Sequence, residues 1–252
     1  MGMSQFAPIP ARAVRRVTGP ALQSTALFSW QARFGSLTAL TGQVGTLTRA
    51  STLAATDSSS TAYTAAFGRQ AWGAHDWTGS GTRDTVGMTL GSSDRLSFPI
   101  NWGPQAFGFV FEFVEVNTRA SAGALFSIDD GSGNPYFAVF ARNANDPYCL
   151  EIGNAPSFQA VTLATGPSVG QRCRLRGLLS SSGTVQLWQS IDGGAESSTA
   201  VSGAGGLPTS WGVNPVVRIN TVFSASRPGS QLFRRLTIMP GAPTLAQLTS
   251  AL

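Results

Sequence analysis

"FGFVFEFVEV", residues 107–116, is the most aromatic run of the chain and carries two carboxylates, Glu112 and Glu115, three positions apart. In a strand, side chains alternate between faces, so Phe107, Phe109, Phe111 and Phe113 project one way and Val110, Glu112, Val114 and Val116 the other. Glu115 falls on the phenylalanine side, at the strand's end. Without a bulge, the two acids point to opposite faces and do not flank one scissile bond at the ~5 to 9.5 Å that a glycosidase pair needs. The reading is therefore structural: the phenylalanines form a core stripe between two sheets, each worth about 1.5 to 3 kcal/mol when buried. The valines on the second face make this a central strand whose other side is covered or concave. Glu112 on that side is either a ligand contact or the partner of an arginine.

On both sides of this run, from about residue 46, short stretches rich in Val, Ile, Phe, Leu and Thr recur between clusters of Gly, Ser, Pro, Asp and Asn. That pattern predicts an all-β sandwich. Strands are expected near 46–53, 84–90, 95–100, 107–116, 123–128, 136–142, 148–152, 158–164, 172–179, 184–191, 215–224 and 231–239. The clearest local unit is the hairpin "RCRLRGLLSSSGTVQLWQSIDGG" (172–194), which turns at "SSSG". Its Arg172, Arg174 and Arg176 share one face, pointing outward or lining a shallow groove, and Cys173 and Leu175 share the other. A short helix is expected in "APTLAQLTSAL" at the C-terminus, where Pro243 and Thr244 are start signals and Leu245, Leu248 and Leu252 share a face.

Residues 1–45 show no sustained periodicity, carry three prolines before residue 21 and include "ARAVRR" (11–16). They read as an extended N-terminal arm, with Arg12, Arg15 and Arg16 as assembly contacts, or as a disordered tail, ahead of a sandwich spanning 46–252. The prolines and arginines are unlike a secretory signal, and the apolar stretch near 21–40 is interrupted by Gln31 and Arg33, too polar to span a bilayer. A soluble protein made in a cytosol is expected, with no membrane insertion.

Of the 252 residues, 42% are hydrophobic, ample for a packed core, and 12% are charged, about half of the usual ~25%. All 17 basic residues are arginines, so no lysine nucleophile exists. The net charge of +5 raises nucleic acid as a partner, but the arginines are scattered and sit in no nucleic-acid motif. Specific nucleic-acid binding is not expected. Cys149 and Cys173 either pair across neighbouring strands or stay buried as free thiols, and two cysteines define no disulfide framework.

The order of elements resembles the concanavalin A-like lectin and glucanase fold, and within it the laminin-G-like jelly rolls, over roughly residues 83–252. The marks are "LGSSDRLSFPI" before the aromatic strand, the hairpin ending in "SIDGG", and the closing "FRRLTIMPGAPTLAQLTSAL". Upstream, "LTRASTLAATDSSSTAYTAAFGRQAW" (47–72) is similar to a segment found ahead of such jelly rolls in tailed-bacteriophage virion proteins, with Thr48, Arg49, Ala50, Ser51 and Thr52 carrying the match. Where those segments have an Asn and a Pro before the next arginine, this chain has "TAAFGR". The resemblance implies a non-enzymatic structural protein of a virion assembled in the host cytoplasm. It would sit on the tail or fibre apparatus in contact with host-surface glycan, or decorate the head. Its partners would be other virion proteins and further copies of itself. A free carbohydrate-binding module is the alternative.

Glucanases of this fold carry Glu-x-Asp-x-Glu on one strand, and no such run occurs here. The single His75 lacks a second histidine for a Ser-His-Asp system, and with two distant cysteines and Asp76 it makes a poor zinc set. "DDGSGN" (129–134) offers Asp129, Asp130 and Asn134 to calcium, or is a glycine-rich hairpin turn. No cofactor, metal site or catalytic residue is expected. Trp72, Trp77 and Trp102, in loops, are the candidate sugar platforms or interface residues, and Glu112 is a further candidate contact.

Overall fold

In the computed structural model the aromatic run is a strand with all nine residues buried, and its rings meet rings from an opposing sheet. Phe107 packs edge-on to Phe137 at 5.1 Å, Phe109 to Phe126 at 5.0 Å and Phe113 to Tyr148 at 5.3 Å. The structure describes residues 27–31, 48–51, 69–70, 85–86, 88–89, 94–115, 122–132, 134–144, 146–154, 157–201, 207–220, 231–244 and 246–247.

In chain order the strands are β1 (Phe28–Gln31), β2 (Thr48–Ser51), β3 (Arg69–Gln70), β4 (Thr85–Val86), β5 (Met88–Thr89), β6 (Asp94–Pro99), β7 (Phe107–Glu115) and β8 (Gly123–Asp129). There follow β9 (Pro135–Ala141), β10 (Tyr148–Asn154), β11 (Ser157–Thr162), β12 (Arg172–Leu179), β13 (Val185–Ile191), β14 (Ser197–Val201), β15 (Val216–Ile219) and β16 (Gln231–Pro240). The first sheet runs β1-β16-β7-β12-β13-β14, with β5 also on β16; the second runs β11-β10-β9-β8-β15-β6-β2; β3 and β4 pair separately. Every pairing is antiparallel, and neighbours distant in sequence, such as β7 with β16, are those of a jelly-roll-like sandwich. The expected all-β class is what the structure shows.

The main apolar cluster lies between the two sheets. The first sheet contributes Phe109, Phe111, Leu175, Leu187, Leu236 and Ile238, and the second Phe98, Phe126, Phe137, Leu150, Val217 and Ile219. Where the sequence breaks its own alternation, the backbone corrects it. "FRRL" (233–236) places two arginines between core residues, and β16 absorbs the extra residue as a bulge between Phe233 and Arg235. Phe233 stays opposite Phe113, Leu236 opposite Phe111, and Arg235 lands on the outer face opposite Glu112.

The hairpin forms as its sequence predicts. Gly183, at φ 79°, closes a turn in which Ser180 N–H donates to Thr184 O at 2.9 Å. The next turn has Asp192 and Gly193 at φ 51° and 77°, the positive pair of a type I′ turn, with Gly194 N–H donating to Ile191 O. Thr244 and Gln247 cap each other reciprocally, at 2.7 and 3.2 Å, where the C-terminal helix is expected. Leu245, Leu248 and Leu252 lie outside the described residues.

Two edge strands differ from the sequence reading. β1 lies within the segment expected as an arm and pairs with β16 from Phe28↔Ile238 to Gln31↔Arg235. β14, "SSTAV", is largely exposed and has no apolar alternation to reveal it. Edge strands this short carry no periodic signature. The rest of residues 1–45, with Arg12, Arg15 and Arg16, falls outside the described residues. Among the described residues, no helix is long and apolar enough to cross a membrane.

Candidate functional site

The outer face of the first sheet gathers the charged residues of three strands. Alternation points Val110, Glu112 and Val114 of β7 away from the core, and pairing sets Arg172, Arg174 and Arg176 of β12 beside them. Arg235 is opposite Glu112 on the other side. Arg174 Nε donates to Glu112 Oε1 at 3.1 Å, Arg235 Nη2 donates to the same oxygen at 3.0 Å, and Arg235 Nε lies 2.9 Å from Oε2. Glu112 is thus the hub of an ion triad, 3% exposed. Of its two expected roles it takes the arginine-paired one.

The three hairpin arginines do point away from the core, but Arg172 and Arg176 are only 2% and 5% exposed. They are covered charges, neither solvated nor lining an open groove. Arg176 pairs through Nη2 with Glu196. Burial, and then the charge of Arg174, push the Arg176 pKa below its ordinary value. Asp192 accepts the Arg172 backbone N–H at 2.9 Å and the Gln171 side-chain amide at 3.2 Å.

Beyond Arg176 the face opens. Val185 and Leu187 of β13 enter the core, so Gln186 and Trp188 point outward, and both are partly exposed. Trp188 lies between Arg176 on β12 and Ser198 on β14. Ser198 and Ala200 are exposed. Sequence reading did not single out Trp188. The signal was there: a tryptophan at an outward position of the best-predicted strand.

Glu115 takes the opposite side of β7. Its carboxylate accepts Tyr148 Oη–H at 2.8 Å and the Gln231 amide at 3.2 and 3.3 Å, and the amide also reaches Tyr148 Oη at 2.7 Å. The two glutamates therefore share neither a face nor a partner. Tyr148 and Gln231 were not foreseen, because their meeting depends on pairing across 83 positions.

Trp102, expected as a platform, is instead a core residue, 5% exposed, packed edge-on to Trp211 at 6.0 Å and to Phe107 at 6.2 Å. Trp211 in turn meets Tyr136. A loop tryptophan fills the end of the sandwich here because strands alone leave that end open. Trp72, Trp77 and His75 lie outside the described residues.

Around the calcium candidate, the oxygens have protein partners. Asp129 accepts Arg218 Nε at 2.5 Å and Gly131 N–H at 2.8 Å, while Asp130 accepts Ser132 N–H, Asn134 N–H and the Asn134 side chain at 2.7 to 3.1 Å. Burial raises the Asp129 pKa, with the hydrogen bond and charge of Arg218 opposing. This is a self-bonded turn locked to its neighbour: a Cβ on Gly131 would meet Asn214 O at 2.3 Å, and one on Gly212 would meet Asp130 Cβ at 2.4 Å. Among the described residues, no group of three or more His, Cys, Asp or Glu side chains gathers as metal ligands.

Both cysteines are free and buried, on different sheets. Burial, and then Glu151, push the Cys149 thiol up to about 12.

No protein-family model matches the sequence, and comparison with curated proteins gives no match. Among solved structures, the chain is similar to domain 4 of AbnA, a GH43 extracellular arabinanase from Geobacillus stearothermophilus solved in complex with arabinotriose. The TM-score is 0.53 at 12% identity, covering 90% of this chain and 98% of that one. It is also similar to the binding domain of botulinum neurotoxin serotype D/C VPI 5993, with TM-score 0.55 at 11% identity over 92% of this chain and 53% of that one. The serotype C1 binding domain gives 0.53 at 10% identity, over 90% and 51%. The chain spans about half the length of these toxin domains. At such identities the likeness is one of fold.

Proposed function

We propose that the chain is a non-enzymatic structural protein of a tailed-bacteriophage virion, a jelly-roll sandwich fixed to neighbouring subunits and displayed on the particle surface. The observation that carries this reading is the place of the "TRAS" stretch. Residues Thr48–Ser51 are strand β2, paired from Thr48↔Ser97 to Ser51↔Asp94 at the edge of the second sheet. The four residues Thr48–Ser51 of the segment that resembles virion proteins are thus a strand of the same sheet as β6.

Function then lies in assembly and contact rather than turnover. The acids of β7 are engaged by Arg174, Arg235, Tyr148 and Gln231, so the strand offers no paired acid and nucleophile. Residues before β1, with Arg12, Arg15 and Arg16, tie the sandwich to other virion proteins and to further copies of the chain. On the tail or fibre apparatus the sandwich touches host-surface glycan; on the head it reinforces the capsid.

A free carbohydrate-binding module is the second reading, favoured by the likeness in fold to a domain solved with arabinotriose. Mass spectrometry of purified particles, with the full chain and with residues 1–26 deleted so that β1 stays in the sheet, tests the first. The full chain is expected in particles and the truncated one in the soluble fraction. A full chain absent from particles overturns the virion reading, and normal incorporation of the truncated chain overturns the arm.

A further inference from the structure

We propose that β14 is a docking edge for a second copy of the chain: the β14 strands of two copies pair antiparallel about a two-fold axis, so that their first sheets continue into one another. The inference rests on the reading that the sandwich contacts further copies of itself, and it names the surface that does so.

The first observation is that this edge is open. β14 ends the first sheet and, among the described strands, pairs with β13 alone. Ser197, Ser198 and Ala200 are exposed. The outer side of such a strand carries backbone N–H and C=O groups with no neighbour in the sheet, which is a template for another strand.

The second is that nothing in the strand guards it. Natural edges are blunted by charged side chains, by proline or by a bulge. Ser197–Val201, "SSTAV", has no charge and no proline, and its register with β13 runs unbroken from Gln189↔Ser197 to Val185↔Val201. The nearest charge along the chain, Glu196, is paired with Arg176 of β12, two strands in from the edge. On the same flank β11 ends the second sheet beside β13 and β14, and its sequence "SFQAVT" is likewise free of charge and proline. Both layers of the sandwich end here in neutral strands, so a neighbour approaches the flank without leaving a strand charge buried and unpaired.

The third is self-complementarity. Thr199 lies opposite Leu187, a core residue, whereas Ser198 lies opposite Trp188 on the outer face. In an antiparallel pair centred on Thr199, the two Thr199 residues meet and each Ser198 meets Ala200 of the second copy. Inward positions then stay opposite inward ones, and the faces of the two sheets run on. Threonine pairs favourably with threonine across strands, and no like charges are opposed. Two identical edges joined about a two-fold consume each other and close at two copies, whereas joining β14 to a different edge, such as β1, leaves free edges and propagates.

The test is sedimentation of the full chain and of variants at the exposed positions Ser198 and Ala200. The parent is expected to dimerise reversibly. Ser198→Lys with Ala200→Lys sets like charges opposite each other on both sides of the axis and is expected to weaken the dimer at least about tenfold. Ser198→Glu with Ala200→Glu should do the same. Mixing the lysine and glutamate chains should restore a dimer containing one of each, a result that misfolded variants would not give. A parent that stays monomeric up to about 0.1 mM overturns the inference, and leaves the virion reading intact if the chain is found in particles. A dimer as tight in the double-lysine chain as in the parent overturns the assignment to β14. Loss in both charged chains without recovery in the mixture, though each chain keeps its cooperative thermal transition, overturns the proposed register. Recovery in the mixture by a chain that is absent from particles keeps the inference and overturns the virion reading.

Discussion

Gly177 and Phe109 face each other across β12 and β7 so closely that a Cβ on the glycine would come within 2.0 Å of the Phe109 ring. The ring lies over the one inward position of β12 that has no side chain, and that absence lets Phe109 reach Phe126 and Phe137 on the opposing sheet. Gly177→Ala should destabilise the protein by about 1 to 3 kcal/mol through overpacking. Urea denaturation with an unchanged m-value measures it. A variant as stable as the parent would mean that the ring does not occupy that space.

Glu112→Gln removes the carboxylate shared by Arg174 and Arg235, leaving buried guanidinium groups without that counter-charge. The expected loss is about 3 to 5 kcal/mol, the range for breaking a buried ion pair. Turnover of β-glucans should be absent before and after the change. Hydrolysis that vanishes in the variant would instead make Glu112 catalytic.

Deleting Arg234 removes the extra residue of the β16 bulge. Phe233, Arg235 and Leu236 would then follow one another opposite Phe113, Glu112 and Phe111, the partners they already have, and every face is kept. The deletion should retain the cooperative thermal transition seen by circular dichroism, whereas deleting Leu236, which puts Thr237 opposite Phe111 and turns Ile238 outward, should abolish it.

The Cys149 thiol titrates near 12 when folded, against an ordinary 9.0, so folding favours the neutral form. Its contribution to stability is complete below pH 9 and is lost as pH rises from there toward 12, by at most about 1.4 kcal/mol per pH unit. Comparing urea stability from neutral to alkaline pH should show a shallower alkaline decline in Cys149→Ala than in the parent. Parallel curves would place the thiol in contact with water.

The β strands and the separation of the two acids were legible because side-chain alternation is written into the sequence. Residues 107–115 and the hairpin 172–191 show it, and the structure reproduces their faces. The bulge left a trace that was readable in principle, two consecutive arginines between Phe233 and Leu236. Alternation fixes only direction, however, not cover. Arg172 and Arg176 point away from the core as read, yet are buried, because cover comes from whatever packs above a face. Trp102 escaped for a related reason: its partner Trp211 lies 109 positions away by number and both sit in loops, where no period announces a side chain's destination. Trp188 sits on a strand, where alternation gives its direction but not its exposure.

The most direct measurement of the central claim is immunogold labelling of intact, purified particles with antibody raised against the sandwich. Gold is predicted at fixed positions on the virion, at the tail or fibre apparatus or over the head, and lost when residues 1–26, ahead of β1, are deleted. Unlabelled particles, with all of the protein free in the lysate, would contradict a structural role in the virion.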